Sequence, residues 1–208
     1  MKNPLIITIG REYGSGGREI GKALAEKLGI SFYDKKIISL AAEKSGLSPE
    51  FITSNEQRTS GGIMNTMSVS PHYNGGFFSP HHLPLSETIF ISQAQVIRDI
   101  AAKESAVIVG RCADYILAGR KNTVNIFIHA PKEDRVRRIM ALYALSEADA
   151  LKAIAKSDKE RGNHYFRYTD MKWGKAQNYD LCVNSSLLGI EGTVEMIADV
   201  AGIEERAL

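Results

Sequence analysis

Cysteine, tryptophan and long apolar runs are scarce in this sequence. It has two cysteines, Cys112 and Cys182, without CxxC spacing, and one tryptophan among 208 residues. Two isolated cysteines argue against a disulfide framework or a zinc motif, and favour buried thiols in a reducing compartment. The apolar run before Gly10 is too short for a signal peptide, and no run reaches the length that spans a bilayer. We therefore expect a cytoplasmic protein without a membrane partner.

An excess of charge of either sign is also missing. The formal net charge is +2, which is too small to indicate binding to a nucleic acid polymer or an anionic membrane. Hydrophobic residues make up 44% and charged residues 24% of the chain, as in ordinary globular proteins. We expect a single domain over residues 1–208, whose function depends on local clusters of charge. The composition does not indicate an oligomeric state.

Short apolar runs alternate with segments of helical periodicity. The runs that predict buried strands are residues 5–9, 105–110, 123–130 and 179–186, with a further short strand or turn at 30–34. The segments between them place apolar residues at helical spacing and often end at glycine. This alternation predicts an α/β fold with a parallel sheet and helices on both of its faces.

Residues 53–86 differ from the rest of the chain. The segment is rich in Gly, Ser, Pro, Met and His and lacks a steady period. Segments of this length without periodicity are either functional loops or insertions without regular structure. The sequence leaves open a substrate-binding flap and a plain surface loop.

A cluster of glycines follows the first strand, in the stretch "IITIGREYGSGGREIGKALAEKLG". The turn of Gly14, Ser15, Gly16 and Gly17 directs consecutive backbone N–H groups into one concavity, and the N-terminus of the next helix points at the same place. Such a turn suits a phosphate group. A strand-to-helix turn with no ligand is the weaker alternative.

The side chains of this turn depart from the standard phosphate-binding loop, GxxxxGK[ST]. With Gly16 as the last glycine of that pattern, Gly17 stands at the lysine position and Arg18 at the Ser or Thr position, while Arg11 stands at the first glycine. We expect Arg18 to supply a positive charge to the phosphates. We expect Glu19 to contact Mg²⁺, directly or through water.

A dehydrogenase is the rival interpretation. Gly10, Gly14 and Gly16 also spell GxxxGxG, and Tyr168 and Lys172 fit the YxxxK pair of short-chain dehydrogenases, which use NAD(P). The chain is short for such an enzyme, however, and the segment around the pair is a poor helix former. A nucleotide-binding protein without catalytic activity is a further alternative, because the loop lacks its lysine.

Four stretches carry a family resemblance: "ITIGREYGSGGREIGKALAEKLG", "FYDKKIISLAAEKSG", "VIVGRCADYIL" and "DKERGNHYFRY". Here the chain resembles the cytidylate kinase-like branch of the P-loop nucleoside monophosphate kinases, in which GSGGRE is the usual form of the loop. The resemblance implies a three-layer P-loop kinase fold with a five-stranded parallel sheet, a monophosphate-binding segment and a lid. It implies Mg²⁺-dependent transfer of a phosphoryl group from ATP to CMP or dCMP, with small-molecule nucleotides as partners.

The resemblance also assigns residues to roles. Gly14, Ser15, Gly16, Gly17, Arg18 and Glu19 match the loop that binds ATP, with Glu19 as the candidate Mg²⁺ ligand. The acceptor is expected near Asp34, Arg111, Asp114 and Asp158. Residues 156–175 match the lid, and residues 53–86 take the place of the monophosphate-binding segment.

Phosphoryl transfer requires cations that converge on the moving group from separate parts of the chain. The candidate arginines are Arg18, Arg111, Arg137, Arg138, Arg161 and Arg167, of which Arg18, Arg111 and Arg161 are the expected catalytic residues. Arg111 follows a predicted strand at its C-terminal end, where ligands bind in open α/β sheets, or it pairs with Asp114. Arg138 either reaches the site or pairs with Asp134 on its own helix.

Overall fold

The structure, a computed structural model, describes residues 4–45, 48, 50 and 85–206. The predicted flexible segment 53–86 therefore lies, except for its last two residues, outside the described residues. Within them, the sheet has five strands, all parallel, in the order β2-β3-β1-β4-β5. The strands are β1 (Ile6–Arg11), β2 (Ser31–Tyr33), β3 (Ala106–Val109), β4 (Thr123–His129) and β5 (Leu181–Asn184).

Helices connect these strands and cover both faces of the sheet. They are α1 (Gly17–Leu28), α2 (Lys36–Ser45), α3 (Leu85–Lys103), α4 (Ala113–Ile116), α5 (Lys132–Tyr143), α6 (Glu147–Thr169) and α7 (Ser185–Arg206). A short 3₁₀ helix, Ala176–Asn178, precedes β5. The helix α7 is interrupted at Gly189, whose φ is 68°. The sequence analysis missed α4, because a helix of four residues carries too little periodicity to be recognised.

Alternating side chains of the central strand build two cores. In β1, Ile7 and Ile9 pack with α1 and α7 on one face, whereas Ile6 packs with α2 and α3 on the other. All three isoleucines are fully buried. This period of two, with both faces apolar, is the reason that the strand reads as a continuous apolar run. The predicted three-layer α/β architecture is confirmed.

The order of the strands places β1 between β3 and β4, so that the ends of β1 and β3 lie side by side. Ile9 of β1 is in register with Val109 of β3, and Arg11 is in register with Ile128 of β4. Two loops therefore emerge together at one edge of the sheet: the glycine turn after Arg11 and the segment that begins at Gly110. A dinucleotide-binding fold instead has the order 3-2-1-4-5-6, with β2 beside β1.

Candidate functional site

The glycine turn has the backbone geometry that the sequence predicts. Gly14 and Gly16 have φ angles of 82° and 79°, in the left-handed region that favours glycine, and α1 begins at Gly17. The Ser15 amide donates to the Glu12 carbonyl, and the Ile20 amide to the Gly16 carbonyl as the helix starts. A Cβ atom at Gly16 would lie 2.7 Å from the Ile190 Cδ1 atom, so the turn leaves no room for a side chain there. These residues form a cradle that fits a chain of phosphates.

Side chains from α5 and α6 hold this turn from below. Asp158 accepts a hydrogen bond from the Tyr13 amide at 2.7 Å and another from Arg135 Nη1 at 2.5 Å. Arg138 Nη1 donates to the Gly14 carbonyl at 2.8 Å. The expected role of Asp158 was acceptor binding, and these contacts give it the position of a loop brace. Arg138 was expected either to reach the site or to pair with Asp134. Its contact with Gly14 favours the first alternative, since Arg137 is the residue that pairs with Asp134.

The hydroxyl of Ser15 also serves the turn. Ser15 is fully buried, and its Oγ donates to the Glu12 carbonyl at 2.9 Å. Its own carbonyl accepts from Ser185 Oγ at 2.6 Å, which links the turn to the start of α7. The side chain of Ser15 therefore shapes the loop.

Two cavities adjoin at the C-terminal edge of the sheet. The loop cavity, about 390 Å³, is lined by the glycine turn and by Arg18, Glu19 and Arg138. The strand-end cavity, about 310 Å³, is lined by residues that include Arg111, Asp114, Tyr165 and Trp173. Arg11 and Arg161 line both cavities. The two volumes are in the range of small-molecule sites, and their common wall is cationic.

The two arginines of the common wall are close neighbours. Arg161 Nη1 donates to the Arg11 carbonyl at 2.8 Å, and the Arg161 guanidinium lies 5.4 Å from the centre of the Tyr13 ring. Burial, and secondly the charge of Arg161, lowers the pKa of Arg11 to about 9. Burial likewise lowers the pKa of Arg161. With a pKa of about 9, Arg11 stays charged near neutral pH, and a polyanion that entered the cavities would offset the repulsion between the two arginines.

The second predicted arginine site begins where β3 ends. Gly110, Arg111 and Cys112 have φ angles of 75°, 60° and 53°, so three successive residues adopt the left-handed conformation. For residues other than glycine this conformation costs free energy, of order 1 kcal/mol each, and such strain concentrates at functional sites. The turn places Arg111 on the wall of the strand-end cavity, with α4 and Asp114 immediately after it.

Asp114 is a buried carboxyl group in the same cavity. Tyr165 Oη donates a hydrogen bond to Asp114 Oδ2 at 2.7 Å. Desolvation by burial raises the pKa of Asp114, and the hydrogen bond from Tyr165 opposes this shift. Burial, with the same hydrogen bond, also raises the pKa of Tyr165. The pair is a polar feature that a ligand in the strand-end cavity would meet.

Arg18 and Asp34, which the sequence assigned to different substrates, form an ion pair. Arg18 Nε and Asp34 Oδ2 are 2.6 Å apart, and the Arg18 side chain is 66% exposed while that of Asp34 is 9% exposed. The guanidinium therefore keeps a free side toward the loop cavity, which Arg18 lines. The pair connects the start of α1 to the residue that follows β2.

Glu19 lies in the first turn of α1 and lines the loop cavity. Among the described residues, no three His, Cys, Asp or Glu side chains are grouped to hold a metal ion. A site in which phosphate oxygens supply most of the ligands of the ion, and Glu19 supplies one protein carboxylate, fits this arrangement. The role of Glu19 toward Mg²⁺ stays a prediction.

The Tyr168 and Lys172 pair lacks the geometry of a dehydrogenase site. Tyr168 is in α6, which ends at Thr169, so Lys172 lies beyond the helix. Tyr168 Oη donates to the Ser86 carbonyl at 3.0 Å, and its ring stacks on Phe90 with 4.0 Å between ring centres. These contacts make Tyr168 a packing residue between α6 and α3.

Arg11 is the main residue of the site that the sequence analysis did not select. Its position at the first glycine of the loop pattern was noted, but its side chain was not placed. The signal was a charged residue at the end of a fully buried apolar strand, with a glycine six positions later where the loop usually carries its cation. In addition, Arg135 and Tyr13 act in bracing the turn, which no local pattern indicates.

The strand order and the glycine turn define the three-layer α/β fold of the P-loop kinases. A sequence profile of the cytidylate kinase-like family matches residues 6–187. The chain therefore belongs to the cytidylate kinase-like family. Membership and fold together support a phosphotransferase that acts on a nucleotide or another small molecule.

Two curated relatives match the sequence. Cytidylate kinase from Ignicoccus hospitalis is 22% identical over 193 residues, which cover 92% of this chain and 96% of that protein. Uronate isomerase from Corynebacterium glutamicum is 31% identical over 107 residues, which cover 50% of this chain. The match spans only 21% of the isomerase, so it does not extend to that protein as a whole.

Solved structures repeat the fold over nearly the whole chain. An uncharacterized protein from Eubacterium ventriosum superposes with a TM-score of 0.70 at 28% identity, covering 95% of this chain and 98% of that one. Shikimate kinase from Bacteroides thetaiotaomicron superposes with a TM-score of 0.55 at 13% identity, covering 94% and 97%. The second likeness concerns the fold alone. In the described part of the chain, no helix combines the length and the apolar character needed to cross a membrane.

Proposed function

We propose that this protein transfers the γ-phosphoryl group of ATP to a nucleoside monophosphate, CMP or dCMP. The observation that carries the proposal is the pair of adjoining cavities with Arg11 and Arg161 in their common wall. A kinase needs two sites that meet where the phosphoryl group moves, and cations at that point. ATP's phosphates would lie over residues 14–19, and the acceptor would occupy the strand-end cavity.

The chemistry of the strand-end cavity suits a nucleoside monophosphate. Arg111 and Arg161 line it and match the charge of a phosphate group. Trp173 lines the same cavity and is held edge-on against Phe127, with 5.3 Å between ring centres, so that an aromatic surface is available to a base. Asp114 offers a hydrogen-bonding partner to the sugar or the base.

The reaction is a direct displacement on phosphorus. An oxygen of the acceptor's phosphate forms a bond to the γ-phosphorus as the bond to the β–γ bridging oxygen breaks, and the electron pair of that bond stays on ADP. The attacking phosphate oxygen is already anionic at neutral pH, so no residue has to remove a proton. The chain's task is to align the two substrates and to neutralise negative charge, which the arginines of the common wall do. Glu19 would hold Mg²⁺ beside the loop, and the ion would share this task by neutralising negative charge on the phosphates.

An ADP-release assay with CMP, dCMP, UMP, AMP and shikimate as acceptors tests the proposal. We expect turnover with CMP or dCMP well above that with the others. Turnover with shikimate, or with no acceptor at all, would contradict it. Shikimate is included because its carboxylate is also an anion that arginines bind and because a shikimate kinase shares the fold.

A nucleotide-binding protein without turnover is the second candidate, because Gly17 stands at the position of the loop lysine. It predicts that ATP binds in calorimetry while no phosphate is transferred. A thermal-shift screen with ATP, CMP and NAD(P) separates both candidates from a dehydrogenase, since a ligand that binds only the folded state raises the melting temperature. We expect ATP and CMP to raise it and NAD(P) to leave it unchanged.

A further inference from the structure

Two positions of the phosphate loop carry exchanged residue types. The standard loop has a glycine where Arg11 stands and a lysine where Gly17 stands. Arg11 is the last residue of β1, and Gly17 is the first residue of α1. The cation has therefore moved from the helix end of the loop to its strand end.

The space around Arg11 shows that the two changes depend on each other. A Cβ atom at Gly17 would lie 2.6 Å from Arg11 Cβ and 3.0 Å from Arg11 Cγ. A separation of 2.6 Å between two Cβ atoms does not occur in folded proteins, so a side chain at position 17 and the arginine at position 11 exclude each other in this backbone. A lysine at position 17 is thus sterically incompatible with Arg11 in its present conformation.

A second glycine receives the far end of the same side chain. A Cβ atom at Gly110 would overlap the Arg11 Nη1 atom. The Arg11 side chain therefore runs from above Gly17, at the glycine turn, to Gly110, at the end of β3. It spans the line along which the loop cavity and the strand-end cavity meet.

The charged groups that act on Arg11 are mostly other arginines, and the one carboxylate among them lies outside the glycine turn. The groups that act on its charge are Arg161, Arg111 and Arg18, which repel it, and Asp34, which attracts it. Asp34 already holds Arg18 at 2.6 Å. A cation kept among other cations is costly unless an anion completes the site.

We propose that Arg11 takes the place of the absent loop lysine as the cation that holds the β- and γ-phosphates. The inference rests on the proposed function for its catalytic part, and on the loop geometry alone for its binding part. The Arg11 guanidinium donates hydrogen bonds to phosphate oxygens, both before and during the displacement. It neither gains nor loses a proton, and the bonds that form and break are those of the phosphoryl transfer described above.

This assignment also accounts for glycine at position 17, where a side chain would occupy the path of Arg11 although no φ angle requires glycine. At Gly110 the φ of 75° favours glycine by itself. Glycine at the lysine position therefore does not mean that the loop has lost its cation. The positive charge comes from Arg11 instead.

Binding of inorganic tripolyphosphate, followed by titration calorimetry, tests the assignment without any reaction. We expect Arg11→Met to weaken tripolyphosphate binding at least tenfold and Arg11→Lys to weaken it less. Arg137→Met is the matched control, because Arg137 is 78% exposed and pairs with Asp134 on α5. Equal affinity in Arg11→Met and the unchanged protein, with a normal melting temperature, would overturn the inference.

An exchange of the two positions gives a stronger test. Gly17→Lys alone is expected to lower the melting temperature and to abolish tripolyphosphate binding, because the new side chain collides with Arg11. The double variant R11G/G17K restores the first glycine and the lysine of the standard loop, with Arg18 still at the Ser or Thr position, and is expected to bind at least tenfold more tightly than either R11G or G17K alone. If the effects of the two single changes on the free energy of tripolyphosphate binding simply add in the double variant, the inference is overturned, since side chains that occupy one space must be coupled.

Turnover separates this inference from the proposed function. If the unchanged protein releases ADP with CMP, Arg11→Met is expected to lower kcat about 100-fold or more, as for other cations at a moving phosphoryl group. If it releases no ADP with any acceptor but tripolyphosphate binding still depends on Arg11, the proposed function fails and the assignment of Arg11 holds. Failure of the unchanged protein to bind tripolyphosphate would overturn the assignment.

Discussion

Arg161 Nη1 donates a hydrogen bond to the carbonyl oxygen of Arg11 at 2.8 Å, although 150 residues separate them in the chain. The contact joins the middle of α6 to the end of β1. It places two guanidinium groups in one wall, where they repel each other while Asp158 attracts Arg161 and Asp34 attracts both. The same wall separates the two cavities, so the fold concentrates positive charge at the point where the proposed substrates meet.

Arg161→Met is expected to lower kcat about 100-fold or more, because it removes one of the cations at the moving phosphoryl group. Arg167→Met on the same helix is the matched control: Arg167 is 41% exposed and pairs with Glu87. We expect the control to retain its activity, since exposed ion pairs contribute up to about 1 kcal/mol. ADP release at saturating ATP and CMP measures both. Equal losses in the two variants would show that Arg161 has a structural role only.

Asp158→Asn distinguishes a loop brace from an acceptor-binding residue. The change weakens the hydrogen bonds from the Tyr13 amide and Arg135, and we expect a loss of about 2 kcal/mol in the free energy of unfolding. We also expect a higher KM for ATP and a nearly unchanged KM for the acceptor. Chemical denaturation and steady-state kinetics provide the measurements. A change confined to the KM of the acceptor would restore the role that the sequence predicted.

Gly16→Ala tests the fit of the glycine turn. The new methyl group meets Ile190 Cδ1 at 2.7 Å in a backbone with φ of 79°, so we expect both a lower melting temperature and lost ATP binding. Gly29→Ala is the control, because Gly29 has φ of 64° but no atom within 4 Å of the added Cβ. It carries the backbone strain of about 1 kcal/mol without the collision. Retained ATP binding in Gly16→Ala would argue against a phosphate site in this turn.

Asp114→Asn is expected to stabilise the protein, and to do so more at pH 7 than at pH 4. Burial raises the pKa of Asp114, so the folded protein holds this proton at pH values where the unfolded chain has lost it. The unchanged protein therefore loses stability as the pH rises through this range, whereas the asparagine variant is free of that loss. Melting temperatures of both proteins at pH 4, 5, 6 and 7 measure the difference. A difference that shrinks toward pH 7 would show that ionised Asp114 is stabilising.

The same variant reports on function, because the asparagine can still accept the hydrogen bond from Tyr165. If Asp114 binds the acceptor as a carboxylate, we expect a lower kcat/KM for CMP in the more stable variant. An unchanged kcat/KM would show that Asp114 has a structural role in the cavity wall and does not bind the acceptor.

Sequence patterns predicted most of the regular structure. The apolar run of β1 and the periodicity of α1 and α6 are local properties, and the segments of helical periodicity between the predicted strands form helices. The kinked start of α7 and the short α4 were missed, because Gly189 and the turn at Arg111 act through backbone angles rather than through periodicity.

The candidate site was predicted in part. The glycine turn follows from its own residues, since glycines between a strand and a helix permit the left-handed φ angles of 82° and 79° that Gly14 and Gly16 adopt. The positions of Asp158 and Arg138 beneath the turn did not follow, because both depend on which helix packs there. A charged residue on a helix has the same local pattern whether it faces solvent or braces a loop.

What the sequence alone determined is the α/β class, the phosphate-type turn and the family resemblance, because these depend on neighbours within a few residues. The tertiary structure decided that Arg11, Gly17 and Gly110 share one volume, and that Arg161 arrives there from α6. Steric exclusion and the summed field of several guanidinium groups act between residues that are distant in the chain. Only the packed sheet brings them within reach of each other.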